Sequence, residues 1–338
     1  MFNKIRNTSD FIYLFIKALL MGTANKLPGI SGGLVALITG FYYEMIESLK
    51  DLNLKSILII LKGDFKKFNS YYNGLFLLTI LSGIIVSYFT TSRLLDFFFK
   101  QSELYVWSIF YGMIIASLII LVLNNKIWNL KSVLFIIFGF SIGFLLSISN
   151  PVSESQNLFF IFFCGFISIC GMIVPGISGS FLLILLGNYK LLLVDSVNAL
   201  FNSLSNIIIL NSSFQHDFNL LKILIVFALG SLIGLIILSS LLSLLIKKYN
   251  DTINQLIIGF VSGSLLILWP WKKISNNYEK ESLYDSLIPI DYLKYLPDFK
   301  ETSTYIAFLW IIIGLFIVLY LEKYASRSKN IWTHRKKN

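Results

Sequence analysis

The sequence predicts an all-α polytopic membrane protein of two inverted-topology repeats, each a re-entrant broken-helix hairpin followed by three transmembrane helices. Three observations predict it: a shortage of charge, a set of apolar runs of membrane-crossing length, and a Pro-Gly-Ile-Ser-Gly motif that occurs twice. Hydrophobic residues make up 56% of the 338 and charged residues 14%, against about 25% charged in soluble domains. A surface so poor in charge faces lipid. The formal net charge of +10 could serve nucleic acid. The bases, however, lie in short stretches between apolar runs, so membrane topology accounts for them and no nucleic-acid partner is expected.

The elements follow in order. Lys4 and Arg6 precede an apolar stretch, 11–21, that runs straight into the first motif with no small-residue cleavage pattern. It reads as part of the mature chain rather than a signal peptide. A spanning helix needs about 20 mostly apolar residues, and with modest tolerance the runs 75–89, 104–123, 133–148, 223–246, 253–269 and 305–321 qualify. The first repeat is expected over 1–149, with its hairpin at 11–48 and three spans. The second is expected over 150–338, with its hairpin at 157–196, three spans, an external loop at 271–304 and a basic cytoplasmic tail at 322–338. Segment 51–72 mixes Leu and Ile with Lys and is expected to lie along the inner interface.

Each hairpin region is apolar but broken near its middle by Pro-Gly. Proline removes a backbone donor and disfavours helix at the residue before it, and glycine permits dihedrals closed to other residues. The two breaks match: PGISGGLVALITGFY from Pro28 and PGISGSFLLILLGNY from Pro175 share seven of fifteen residues without gaps. Chance similarity of apolar segments supplies Leu and Ile, not Pro-Gly-x-Ser-Gly, so this is an internal repeat. Three runs separate the hairpins. If each hairpin returns to its own side, the odd number inverts the second half, as in many secondary transporters. With both termini in the cytoplasm, every short inner segment is basic: Lys50 to Lys67, Lys126 with Lys131, Lys247 with Lys248, and the tail from Lys323. This obeys the positive-inside rule. The tryptophans, among them Trp107, Trp128, Trp269 and Trp271, sit at or near span ends as an interfacial belt.

Irregular backbone at membrane depth survives only where protein buries it or it lines a wet cavity. A broken helix also presents free N–H groups and the positive end of its dipole, which together suit an anion. The expected phosphate-binding residues are therefore Lys26, Gly29, Ser31, Gly32 and Gly33 at the first break, and Gly176, Ser178, Gly179 and Ser180 at the second. The glycines let a ligand approach the backbone, the serines add donors, and Lys26 adds a cation. Tight helix packing through small residues is the competing reading, but packing glycines need no preceding proline. Glu44, Arg93 and Lys190 are candidate coupling or charge partners, although Glu44 and Glu47 beside Lys50 read more simply as interface residues. Gly29-Ile30-Ser31-Gly32-Gly33 formally matches a nucleophile elbow. The second copy does not, and neither His216 nor His334 is placed to act as a base. Cys164 and Cys170 lie in one apolar run and cannot make a metal site alone. No catalytic residue, metal or cofactor is expected.

The motifs GTANKLPGISGGLVALITGFY and GMIVPGISGSFLLILLGNY, with the late segment Gly259-x-x-Ser262-Gly263-Ser264 and Trp269-Pro270-Trp271, resemble the PopT-type family of bacterial undecaprenyl-phosphate translocases over nearly the whole chain. Two positions depart from that pattern. Asn25 stands where the family usually has an acid, and Leu34 where it usually has Thr. The resemblance implies a multi-pass protein of the bacterial cytoplasmic membrane, a transporter rather than an enzyme. It would return a polyprenyl-phosphate carrier from the outer to the inner leaflet for cell-envelope synthesis. A small inorganic anion transporter or channel is the alternative that the residues alone leave open. The oligomeric state is not legible.

Overall fold

The computed structural model describes residues 7–50, 59, 62–125, 128–148, 154–169, 171, 178–209, 218–274 and 292–335. The expectations placed on Cys170, Pro175, Gly176 and His216 lie outside the described residues. The chain is a helical membrane protein. Among the described residues five helical segments are long and apolar enough to cross a bilayer: Gly74–Gln101, Glu103–Asn124, Leu130–Ile148, Phe218–Leu235 and Thr302–Ala325.

Helix α1 (Thr8–Lys26) and helix α2 (Gly32–Thr39) flank the first Pro-Gly, so the helix breaks where proline and glycine demand it. A left-handed Gly40 (φ 84°) ends α2, as such residues commonly end helices. Helix α3 (Tyr42–Lys50) follows, then α4 (Phe65–Tyr72), whose N-cap Asp64 accepts from the Lys67 amide at 3.2 Å. Two long helices come next, α5 (Gly74–Gln101) and α6 (Glu103–Asn124). Ser102 alone divides them; its extended backbone stops one helix and its hydroxyl caps the next at 3.4 Å from the Tyr105 amide. Then come α7 (Leu130–Ile148), α8 (Leu158–Ser168), capped by Asn157, and α9 (Gly179–Leu185), capped by Ser178. A π-helical turn, Leu191–Asp195, leads into α10 (Ser196–Ile209).

Helix α11 (Phe218–Ser264) bends at Tyr249 (φ −131°, ψ 35°), which separates two helical arms. The apolar run 253–269 is thus helical only as far as Ser264 and continues as turns to Leu268. Within the loop 271–304 the described residues include one short ribbon. Strands β1 (Lys272–Ile274) and β2 (Tyr292–Lys294) pair antiparallel with Lys272 opposite Lys294. Lys272 lies 3.6 Å from the centre of the Trp107 ring. Burial pushes its ammonium down to about 8, with Glu103 opposing that shift and Lys294 adding to it. The final helix, α12 (Thr302–Arg335), runs on through most of the expected basic tail without a break.

The chain divides into two compact units that interleave in sequence. One comprises Met1–Asn25, Ser31–Thr91 and Tyr320–Asn338; the other comprises Lys26–Ile30 and Ser92–Leu319. The first has an apolar core of Leu14, Ala18, Ala36, Phe41, Met45, Phe76 and Ile80, where α1, α2, α3 and α5 meet. The second packs its helices through glycines that press directly on neighbouring backbone. Between α7 and the second arm of α11, Gly139 abuts the Leu256 carbonyl and Gly259 abuts that of Ile136. Between α6 and α12, Gly112 abuts the Ile311 carbonyl and Gly314 that of Ile109. Small residues of this kind let helices approach closely in lipid, where no hydrophobic force drives them together.

These contacts recur in a fixed register. Gly83 of α5 packs on the Phe15 carbonyl of α1, and Gly230 of α11 on the Phe162 carbonyl of α8. Each residue of the second pair lies 147 positions after its counterpart, the displacement that separates Pro28 from Pro175. Gly112 and Ile109 likewise match Gly259 and Leu256 at 147, and their partners Gly139 and Ile136 match Gly314 and Ile311 at 175. The larger displacement arises because the 271–304 segment is inserted before the last helix. Gly112→Val and Gly259→Val should therefore cost similar stability, each forcing one helix off a carbonyl, on the order of 1–3 kcal/mol. Thermal unfolding of the purified variants in detergent checks this, and an unchanged midpoint for one of the pair would show the contacts are not equivalent.

Candidate functional site

The first break is built from the end of α1 outward. Pro28 has no N–H to extend the helix, and Gly29 then takes φ 83°, closed to most side chains. A Cβ on Gly29 would lie 2.8 Å from the Met113 carbonyl oxygen, so α6 admits only glycine there on two counts. The Ser117 hydroxyl of α6 donates to the Gly29 carbonyl at 2.7 Å. The Tyr189 hydroxyl donates to the Lys26 carbonyl at 2.9 Å, and Tyr189 is itself buried against Phe110.

Lys26, the last residue of α1, is fully buried. Its Nζ donates to the Leu193 carbonyl at 2.7 Å and to the Ser92 hydroxyl. Ser92 Oγ also donates to the Leu193 carbonyl, at 2.9 Å. That carbonyl belongs to the π-helical turn, a rare feature enriched at functional sites.

The second copy of the motif contributes Ser178. Its Oγ accepts the Gly29 amide at 3.1 Å, the Phe181 amide at 3.2 Å and the Ser180 hydroxyl at 3.2 Å. Three donors thus converge on one buried hydroxyl oxygen beside Gly29. Gly179 follows with its Cα against the Ser168 carbonyl; a Cβ there would lie 2.6 Å from that oxygen. Lys26, Gly29, Ser178, Gly179 and Ser180 are accordingly gathered in one compact unit.

Ser31, Gly32 and Gly33 belong to the other unit. Ser31 is the N-cap of α2 by backbone geometry, but its hydroxyl makes no capping bond. The Gly32 amide donates instead to Asn25 Oδ1 at 3.1 Å. The unusual Asn25 therefore keeps the acceptor an acid would supply and discards its charge. Leu34, the other departure, is half-buried at the first turn of α2.

The remaining charged candidates are spread out. Glu44 accepts from Asn73 Nδ2 at 2.9 Å, and Asn73 is the left-handed cap of α4 (φ 53°). Glu44 thus ties α3 to the start of α5. Lys190 sits 3.9 Å from Glu103, both groups well exposed, which makes a pair worth little. Arg93 bonds Asn202 at 3.2 Å. Among the described residues no group of three or more His, Cys, Asp or Glu is placed to hold a metal ion. Sequence reasoning missed Ser92, Ser117 and the Leu193 carbonyl, which carry no motif. Tyr189 lay in the repeated motif and could have been singled out.

The model of a family described as VCA0040-like, undecaprenyl phosphate translocase-like, matches residues 21–285. A polyprenyl-phosphate transporter of Vibrio cholerae serotype O1 is 30% identical over 331 residues, 95% of this chain and 99% of that one. A polyprenyl-phosphate transporter of Staphylococcus aureus is 27% identical over 267 residues, 75% of this chain and 85% of that one. No solved structure matches.

The glycines of the first break are separable by experiment. Gly29→Ala should cost about 1–3 kcal/mol, through its dihedral and the Met113 carbonyl. Gly33→Ala would meet only Ser31 Oγ at 3.5 Å and Tyr42 at 3.7 Å, and should be neutral or slightly stabilising as a helix substitution. Unfolding midpoints read the difference; equal midpoints would contradict the geometry.

Proposed function

Because the chain belongs to the undecaprenyl phosphate translocase-like family, we propose that it carries a polyprenyl phosphate across the membrane, its phosphate head engaging the break after α1. The direction is from the outer to the inner leaflet, where the carrier is reused in cell-envelope synthesis. Both termini lie in the cytoplasm, and the protein acts as a transporter, not an enzyme.

The observation that carries this reading is the buried Lys26 at a helix break, beside the donors gathered on Ser178. Charge placed at membrane depth is costly and marks a functional position. The Lys26 ammonium, the Gly29 amide and the serine hydroxyls are all donors. Uncharged oxygens of Ser92, Leu193 and Ser178 are among the acceptors these donors now use. A phosphate oxygen competing for the same donors offers a charge-assisted bond about twice as strong. The isoprenoid tail need not enter the protein; it stays in lipid while the head crosses.

Recurrence of the glycine–carbonyl contacts at a displacement of 147 residues supports two repeats, 1–149 and 150–338. The odd number of spans between the breaks supports their inversion. In such a frame, exchange between two mirrored conformations offers the site to each leaflet in turn. The re-entrant character of both hairpins belongs to the same proposal.

Two measurements test the reading. Cells lacking the protein should show more undecaprenyl phosphate accessible to a head-group probe at the outer surface; an unchanged pool would remove the proposed role. Lys26→Met, which keeps length but removes charge, should reduce transport by purified protein in liposomes at least about tenfold. Wild-type rates in that variant would show that the lysine does not handle the head group.

A further inference from the structure

Arg93 stands one residue beyond Ser92 on α5 but is exposed where Ser92 is buried. Its guanidinium carbon lies 3.9 Å from the centre of the Phe201 ring, and its Nη2 donates to Asn202 Oδ1 at 3.2 Å. Stacking on the ring and the bond to the amide together hold the planar group in one orientation. Among the described residues no carboxylate pairs with it. The nearest acid along the helix, Asp96, is bound to Lys100 at 2.7 Å.

Donors dominate what this arrangement presents. Arginine carries five N–H donors and no acceptor, and one N–H is spent on Asn202. Asn202 uses its oxygen to accept that bond, so its amide nitrogen offers two further donors. A fixed, uncompensated guanidinium fork beside an amide N–H₂ is the chemistry that recognises a phosphate monoester bidentately.

The placement connects this group to the buried lysine. Ser92, the neighbour of Arg93, contacts Lys26, while Phe201 and Asn202 lie on α10, which continues the turn bearing Leu193. Phe201 is eight residues beyond Leu193, about 12 Å along a helix. The same two helices therefore present an exposed cation and hold a buried one.

We propose that Arg93, oriented by Phe201 and Asn202, is a capture site for the phosphate head of the transported lipid, from which the head passes to Lys26. This rests on the transport reading above. An arginine that merely reaches toward the membrane interface would tolerate lysine; a bidentate site would not.

The test is transport of farnesyl phosphate by purified protein in phosphatidylcholine liposomes, with substrate offered to one side at a time. Arg93→Ala and Arg93→Lys should each raise the KM about tenfold from the side on which Arg93 lies. The maximal rate, and the KM from the other side, should stay unchanged. Phe201→Ala should shift the same KM in the same direction, by less. A wild-type KM for Arg93→Lys from both sides overturns the capture site. Inhibition by inorganic phosphate at concentrations equal to those of farnesyl phosphate overturns the lipid assignment in favour of a free anion. If the wild-type protein itself moves no farnesyl phosphate, the transport reading fails instead.

Discussion

A lysine buried in a membrane protein must be met by oxygen, and the bond from Lys26 to the Leu193 carbonyl is the constraint on which the rest of the structure depends. Ordinary α-helix leaves few interior carbonyls for outside donors, because each accepts the amide four residues on. The π-helical turn at Leu191–Asp195 shifts that pairing by one residue. The carbonyl of Leu193 is thereby placed where Lys26 Nζ and Ser92 Oγ both reach it. The end of α1, the last turns of α5 and the entry to α10 are fastened at one atom. Tyr189 adds a second fastening on the Lys26 backbone. Together these bonds hold the residue before Leu27 and Pro28 in position, and the break that follows inherits that placement.

The broad architecture was legible because lipid leaves a coarse mark. Long apolar runs with basic flanks are read from composition and length, and the helices observed fall on them. The Pro-Gly break was legible for a local reason: proline cannot continue α1, whatever surrounds it. What escaped were features fixed by tertiary contact. The ribbon at Lys272–Ile274 and Tyr292–Lys294 is three residues per strand, too short for a periodic signal. Its partners are aromatic residues far away in sequence, such as Trp107. The extent of α12, which continues through Arg335 across most of the basic tail, was likewise not drawn from the sequence, although lysine and arginine are good helix formers.

At the site the division is sharper. Gly29 and Ser178, which the structure joins by a hydrogen bond, stood out because their motif occurs twice, and repetition is visible in one sequence. Ser117 and Ser92 were not, because a serine in an apolar helix has an innocuous alternative: its hydroxyl can bond the carbonyl one turn back. Ser117 makes that bond to Met113 at 3.1 Å and also reaches Gly29 at 2.7 Å. Only the packing of α6 against the break distinguishes it from Ser108, whose hydroxyl goes to Leu104 within its own helix. Asn25 was flagged as a lost acid, and its bond to the Gly32 amide explains how the position tolerates the loss.

The repeat also sets a limit on symmetry. Displaced by 147 residues, Ser31 falls on Ser178, Tyr42 on Tyr189, Ser92 on Ser239 and Ser117 on Ser264. The hydroxyl framework is thus duplicated in the sequence. Lys26 falls on Ile173, Asn25 on Met172, and Arg93 on Ser240. The cations are not duplicated. On the transport reading proposed above, a phosphate head would meet cations in the first repeat and uncharged residues at the matched positions of the second. On that reading both cations would act on the same charged head, so the first repeat would contribute more to holding it than the second, although the glycine–carbonyl contacts recur in both.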